Sequence, residues 1–140
     1  MTLRVRARPV PGQRAARGTL RLRWLAHKGQ DGFCPVGPYF APHWSVKDPA
    51  DLRIRTWVNG EIRQDSSTEQ MLFPVERLLS FASTLATLHP GDLVLTGTPA
   101  GVGAGNGRFL GDGDQVRIEI QDVGDLTNTF RGTSAVPSAA

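Results

Sequence analysis

The sequence predicts a mixed, strand-dominated fold with one main helix. Three observations carry this: a hairpin signal across residues 52–64, one stretch of helical periodicity at 74–87, and a second alternating run at 116–120. Glycine and proline together make up 26 of the 140 residues, which suits loops and short strands better than a helical bundle. The length allows one domain with a core.

Taken in chain order, residues 1–23 form a basic, poorly patterned leader, with little order expected over 1–18. Thr19–Trp24 alternates apolar residues with Arg, so it reads as a short strand or a helix turn. Residues 28–44 are a loop stiffened by Pro35 and Pro38. Leu52 and Ile54 then alternate with Arg53 and Arg55, and the run continues through Trp57 and Val58. Asn59-Gly60 suits the two positive-φ positions of a type I′ turn, and Glu61–Gln64 returns. Val75, Leu78, Leu79, Ala82, Leu85 and Ala86 share one helical face, with Pro74 as a first-turn residue. Pro90-Gly91 makes a turn, and Leu93–Leu95 reads as a buried strand ending at Thr96-Gly97-Thr98-Pro99. A glycine-rich loop covers 97–113, the strand with Val116, Ile118 and Ile120 follows, and 133–140 is a flexible tail.

The net charge of +3 conceals a split. Residues 1–28 carry eight basic groups and no acid, a local charge of +8; the other 112 residues sum to −5. The body is therefore acidic, which argues against a nucleic-acid partner. No apolar run is long enough to span a membrane, and the leader lacks the apolar core of a secretory signal. One cysteine cannot form an internal disulfide, which fits a reducing, cytoplasmic location.

Most candidate chemistry reduces to plainer structure. The glycines at 101, 103, 105 and 107 match no G-x-G-x-x-G register. An Asp112-Gly113-Asp114 calcium loop would need an acid at 123, where valine stands. His27, Cys34, His43 and His89 have no zinc-ligand spacing, and Cys34 reads as a small buried hydrophobe. Two features stand out. Lys28 is the lone cation between Arg23 and Lys47 and leads into the rigid loop, where it suits a substrate carboxylate or carbonyl. The Thr96–Pro99 turn offers two hydroxyls and free N–H groups to an oxyanion.

Together, WLAHKGQDGFCPVGP (24–38), VNGEIRQDSST (58–68), LHPGDLVLTGTPAGVG (88–103) and FLGDGDQVRIEIQDVGDLTN (109–128) resemble the fumarylacetoacetate hydrolase family, in its carboxyl-terminal catalytic domain. The resemblance covers about residues 24–132 and implies a β-roll, here an incomplete one, in a homodimer. It implies activity on small keto or enol dicarboxylic acids: C–C bond hydrolysis, decarboxylation, or isomerisation of 2-hydroxyhepta-2,4-diene-1,7-dioate. It also implies Mg²⁺ or Mn²⁺ as cofactor. Lys28 stands where the family lysine meets the metal-bound substrate oxygens, and Thr98 where a threonine bonds the substrate carboxylate. Gly97 and Pro99 shape that turn, and Cys34-Pro35 forms part of the loop wall.

The family's metal ligands find no counterpart. Glu-x-Glu occurs nowhere in the chain, and its expected place lies before Met1. Where the family has Asp-Val-Ser-Ala-Arg-Asp, the best match is Arg4-Val5-Arg6-Ala7-Arg8-Pro9, and an arginine repels a cation. The expectation is a family chain without its own metal site, inactive alone and exposing apolar strand surface. Two alternatives differ in class: a working enzyme with ligands from Asp31, Asp48, Asp65 or a partner, and a non-enzymatic module using the basic leader.

Overall fold

A computed structural model describes residues 3–7, 29 and 31–132. They form a five-stranded sheet: β1 (Leu3–Ala7), β2 (Arg53–Val58), β3 (Glu61–Ser67), β4 (Gln115–Ile120) and β5 (Gly124–Gly132), in the spatial order β1-β5-β4-β2-β3. All pairings are antiparallel except that of β1 with β5. Helix α1 (Val75–Leu85) and the four-residue α2 (Gly103–Asn106) lie in the long connection from β3 to β4.

The hairpin forms as the alternation predicts. Asn59 (φ 52°) and Gly60 (φ 82°) supply the left-handed backbone that matches strand twist. The return strand runs on to Ser67, and Thr56 faces Gln64 while Trp57 faces Ile62, so Arg63 is the extra residue of a β-bulge. The turn is also tied to β4: the Asn59 side chain accepts from the Gln115 N–H (2.9 Å) and donates to Asp114 Oδ1 (2.8 Å).

Alternation gives the sheet two unlike faces. On one, Arg55 and Arg117 lie 5.3 and 4.9 Å from the Trp57 ring centroid, both pair with Glu119, and Arg53 grips Asp65 through two hydrogen bonds. The other carries Ile54, Thr56, Val58, Val116, Ile118, Ile120, Leu126 and Phe130. Among the described residues Leu52 is the one buried hydrophobic side chain, accompanied by Thr56 and Asn128. The Asn128 Oδ1 is buried without a hydrogen-bond partner.

Several expectations need correction. Leu93–Leu95 forms no strand among the described residues, and all three side chains are exposed, Leu95 at 78%. A buried strand needs a neighbour to complete its ladder and a layer to cover it, and the described residues supply neither. Pro74 caps α1 from outside instead of standing in its first turn, and the helix stops at Leu85, where Ala86 turns extended (φ −150°). Leu3–Ala7, inside the segment expected to lack order, pairs with β5. Cys34 is exposed, not buried. The strand or turn at Thr19–Trp24 and the tail at 133–140 lie outside the described residues.

Candidate functional site

The best-defined polar constellation joins the sheet to the 96–99 turn through Gln64. Its Oε1 accepts from the Thr56 hydroxyl (2.8 Å), and its Nε2 donates both to Thr98 Oγ1 and to the Pro99 carbonyl (2.9 Å each). The Pro99 carbonyl can only accept, which fixes the amide orientation. Because Thr98 Oγ1 accepts the Gln64 proton, its own O–H remains free to donate outward. A hydroxyl so oriented suits a carboxylate oxygen.

Two glycines make this arrangement possible. Gly97, immediately before Thr98, has φ 118°, a conformation that side chains resist. Gly101 (φ 105°) lies so close to β3 that a Cβ would collide with the Arg63 carbonyl. The bulge at Arg63 and the glycine opposite it thus set the turn's distance from the sheet.

Beyond the turn, residues 101–104 and 106–110 wall an open cleft of about 1020 Å³ whose floor is Thr56, Val58, Val116 and Phe130. Arg63 and Arg108 line it and share the Glu61 carboxylate at 3.2 and 3.7 Å. Gln64 also lines the cleft, but Thr98, Gly97, Cys34 and Pro35 do not. The cleft and the turn are therefore neighbours separated by one side chain.

The sequence-predicted residues fare unequally. Lys28 lies outside the described residues. Thr98 and Gly97 are exposed, Pro99 is half-buried and its carbonyl is held by Gln64. Cys34 is exposed and Pro35 half-buried in a loop that ends in a cis Gly37–Pro38 bond. Gln64 escaped sequence reasoning altogether. No sequence signal marked it, because a regular hairpin would set Arg63 opposite Thr56 and only the bulge brings Gln64 there.

A divalent metal does not fit these groups. No three or more His, Cys, Asp or Glu side chains converge among the described residues. Of the three recruitable acids, Asp65 is engaged by Arg53 and Asp48 by the Ala50 N–H, while Asp31 is exposed. The hydrogen bond from Arg53, reinforced by its charge, holds the Asp65 carboxyl below the usual range, and the same contact raises Arg53. The Asp114 carboxyl is likewise lowered, first by the Gly111 N–H and then by the Asn59 amide.

A strand-dominated sheet with one main helix and a glycine-shaped Thr-Pro turn defines a mixed α+β domain of the β-roll kind. The chain belongs to the family described as Fumarylacetoacetate (FAA) hydrolase C-terminal, which matches residues 11–131. It is 46% identical over 106 residues to Protein Rv2993c of Mycobacterium tuberculosis, a match covering 76% of this chain and 38% of that protein. It is also 46% identical over 108 residues to the mitochondrial oxaloacetate tautomerase FAHD2A of Bos taurus, covering 76% and 34%. Among solved structures it resembles maleylpyruvate hydrolase from Sphingobium sp. SYK-6 in complex with manganese(II) and pyruvate (TM-score 0.69, 38% identity, 74% of this chain and 38% of that one). The 2-hydroxyhepta-2,4-diene-1,7-dioate isomerase of Mycobacterium marinum is similar too (TM-score 0.67, 41% identity, 80% and 44%). The chain spans little more than a third of the curated relatives it matches.

Proposed function

We propose that this chain carries the substrate-carboxylate half of a fumarylacetoacetate hydrolase-type site and does not perform the reaction alone. The observation that carries the reading is the Gln64 bracket, which holds the Thr98 turn at a set distance from the sheet and leaves its hydroxyl proton free. Lys28 is assigned to the same substrate, a small keto or enol dicarboxylate. The relatives named as tautomerase, isomerase and hydrolase support that class. The manganese in the maleylpyruvate hydrolase complex supports a divalent metal for the family. In this chain the engagement of Asp48 and Asp65 favours a metal site supplied from elsewhere, and the lone free thiol of Cys34 supports a cytoplasmic setting.

The test is calorimetric titration of the cooperatively melting chain with Mn²⁺. We expect no saturable one-site binding. Saturable binding abolished by excess chelator would overturn the reading, and loss of turnover in Lys28→Ala would then identify a complete enzyme.

A further inference from the structure

The cleft beside the Thr98 turn holds a charge imbalance that the half-site reading does not use. Two arginines reach it from backbone that is held in place. Gly101 packs against the Arg63 carbonyl and Gly103 against the Arg108 carbonyl, each so closely that a Cβ would collide. The Arg108 N–H also bonds back to the Gly103 carbonyl and to Asn106 Oδ1, at 3.1 Å each. The two arginines share the Glu61 carboxylate unequally. It lies 3.2 Å from Arg63, whose side chain is 22% exposed, and 3.7 Å from Arg108, which is 64% exposed. The longer separation is beyond a hydrogen bond, so Glu61 gives Arg108 a nearby charge but does not occupy its planar fork of donors.

No further acid can restore the balance, because all thirteen aspartates and glutamates of the chain lie among the described residues. Asp114 is the other acid at the cleft, and its oxygens are taken by the Asn59 amide and the Gly111 N–H. One carboxylate between two guanidinium groups therefore leaves one positive charge, centred on Arg108. Beside that charge the surface is apolar: Val58, Val116 and Phe130 on the floor, Val102 and Leu110 on the wall.

We propose that this cleft is a second ligand site, separate from the Thr98 turn, and that it takes a monocarboxylate with an apolar body. Arg108 grips the carboxylate through paired N–H donors, Arg63 keeps Glu61 in place, and the body lies on the Val116 and Phe130 floor. The charge selects a monoanion, since a dianionic phosphate would face Glu61 and Asp114 with one uncompensated positive charge to offset it. Thr98 does not line the cleft, so the site stands independently of the proposed function.

The test titrates hydrocinnamate into the isotopically labelled full chain at neutral pH and follows amide NMR shifts, with hydrocinnamamide as the uncharged control. The acid is expected to bind about tenfold more tightly than the amide. Arg108→Gln should bring the acid down to the level of the amide. Glu61→Gln removes the competing carboxylate and should tighten the acid about threefold while leaving the amide unchanged. Circular dichroism checks that each variant folds, and the Glu61→Gln arm decides the matter should Arg108→Gln unfold the chain. Four results would each overturn the proposal: no saturable binding to the folded chain, equal affinity for acid and amide, acid binding that Glu61→Gln fails to tighten, or acid binding lost in Thr98→Val, which would put the carboxylate on the turn.

Discussion

Replacing Gln64 with leucine removes three hydrogen bonds while nearly preserving side-chain volume. Thr56, 8% exposed, loses the acceptor for its hydroxyl at 2.8 Å. An orphaned buried hydroxyl costs about 1–3 kcal/mol. The bonds to Thr98 and Pro99 contribute less, about 0.5 kcal/mol each, because Thr98 is exposed and water replaces the lost donor. Leucine's added apolar contact with Val58 and Val116 across the cleft returns a part, leaving a net loss of about 2 kcal/mol. Urea denaturation followed by circular dichroism measures this as a lower midpoint at unchanged slope. A double-mutant cycle of Gln64→Leu with Thr98→Val isolates the link to the turn, with an expected coupling of about 0.5–1 kcal/mol. A loss below about 0.5 kcal/mol, or a coupling of zero, would refute the view that Gln64 holds the turn to the sheet.

Gly101→Ala strains a φ of 105° and drives a Cβ into the Arg63 carbonyl, so it should destabilise by about 2–3 kcal/mol in the same assay, while Gly105→Ala, with open space around it, stays within about 1 kcal/mol. The folded-state values of Asp65 and Asp114 lie below their unfolded ones. Their contribution is thus complete above the ordinary carboxylate value near pH 4 and is lost as pH falls through the depressed values. Thermal melts should show a stability drop below about pH 4 that Asp114→Asn makes shallower; an unchanged acid limb in that variant counts against the assignment. In any assembly that binds substrate, Thr98→Val should weaken a keto dicarboxylate by about tenfold and Thr98→Ser should restore most of it. Equal loss in both variants would point to packing and not to the hydroxyl.

The parts of this fold that were legible in the sequence are those whose partners are near in the chain. Asn59-Gly60 announces a turn whose two strands adjoin it, and the alternation of Val116, Ile118 and Ile120 reports one apolar, half-buried face. Leu93–Leu95 misled for the opposite reason. Its apolar run records an environment that the described residues do not provide, so composition and exposure disagree. Leu3–Ala7 also alternates, but the surrounding arginines obscured the pattern, and its partner lies at the far end of the chain. The candidate site was half legible. The Thr-Gly-Thr-Pro turn carries a motif, but Gln64 does not, because a lone amide becomes informative only once the sheet sets it beside Thr56 and Thr98.

The pairing of β1 with β5 places Leu3 opposite Asn128, so β1 leaves the ribosome about 125 residues before its neighbour. At ordinary rates of synthesis that interval is on the order of ten seconds. Through all of it β1 is a short arginine-bearing strand without a ladder, and the hairpin of β2 and β3 forms well before the sheet can close. The β1–β5 seam is therefore the last to close, since it joins residues farther apart in the chain than any other pairing of the sheet.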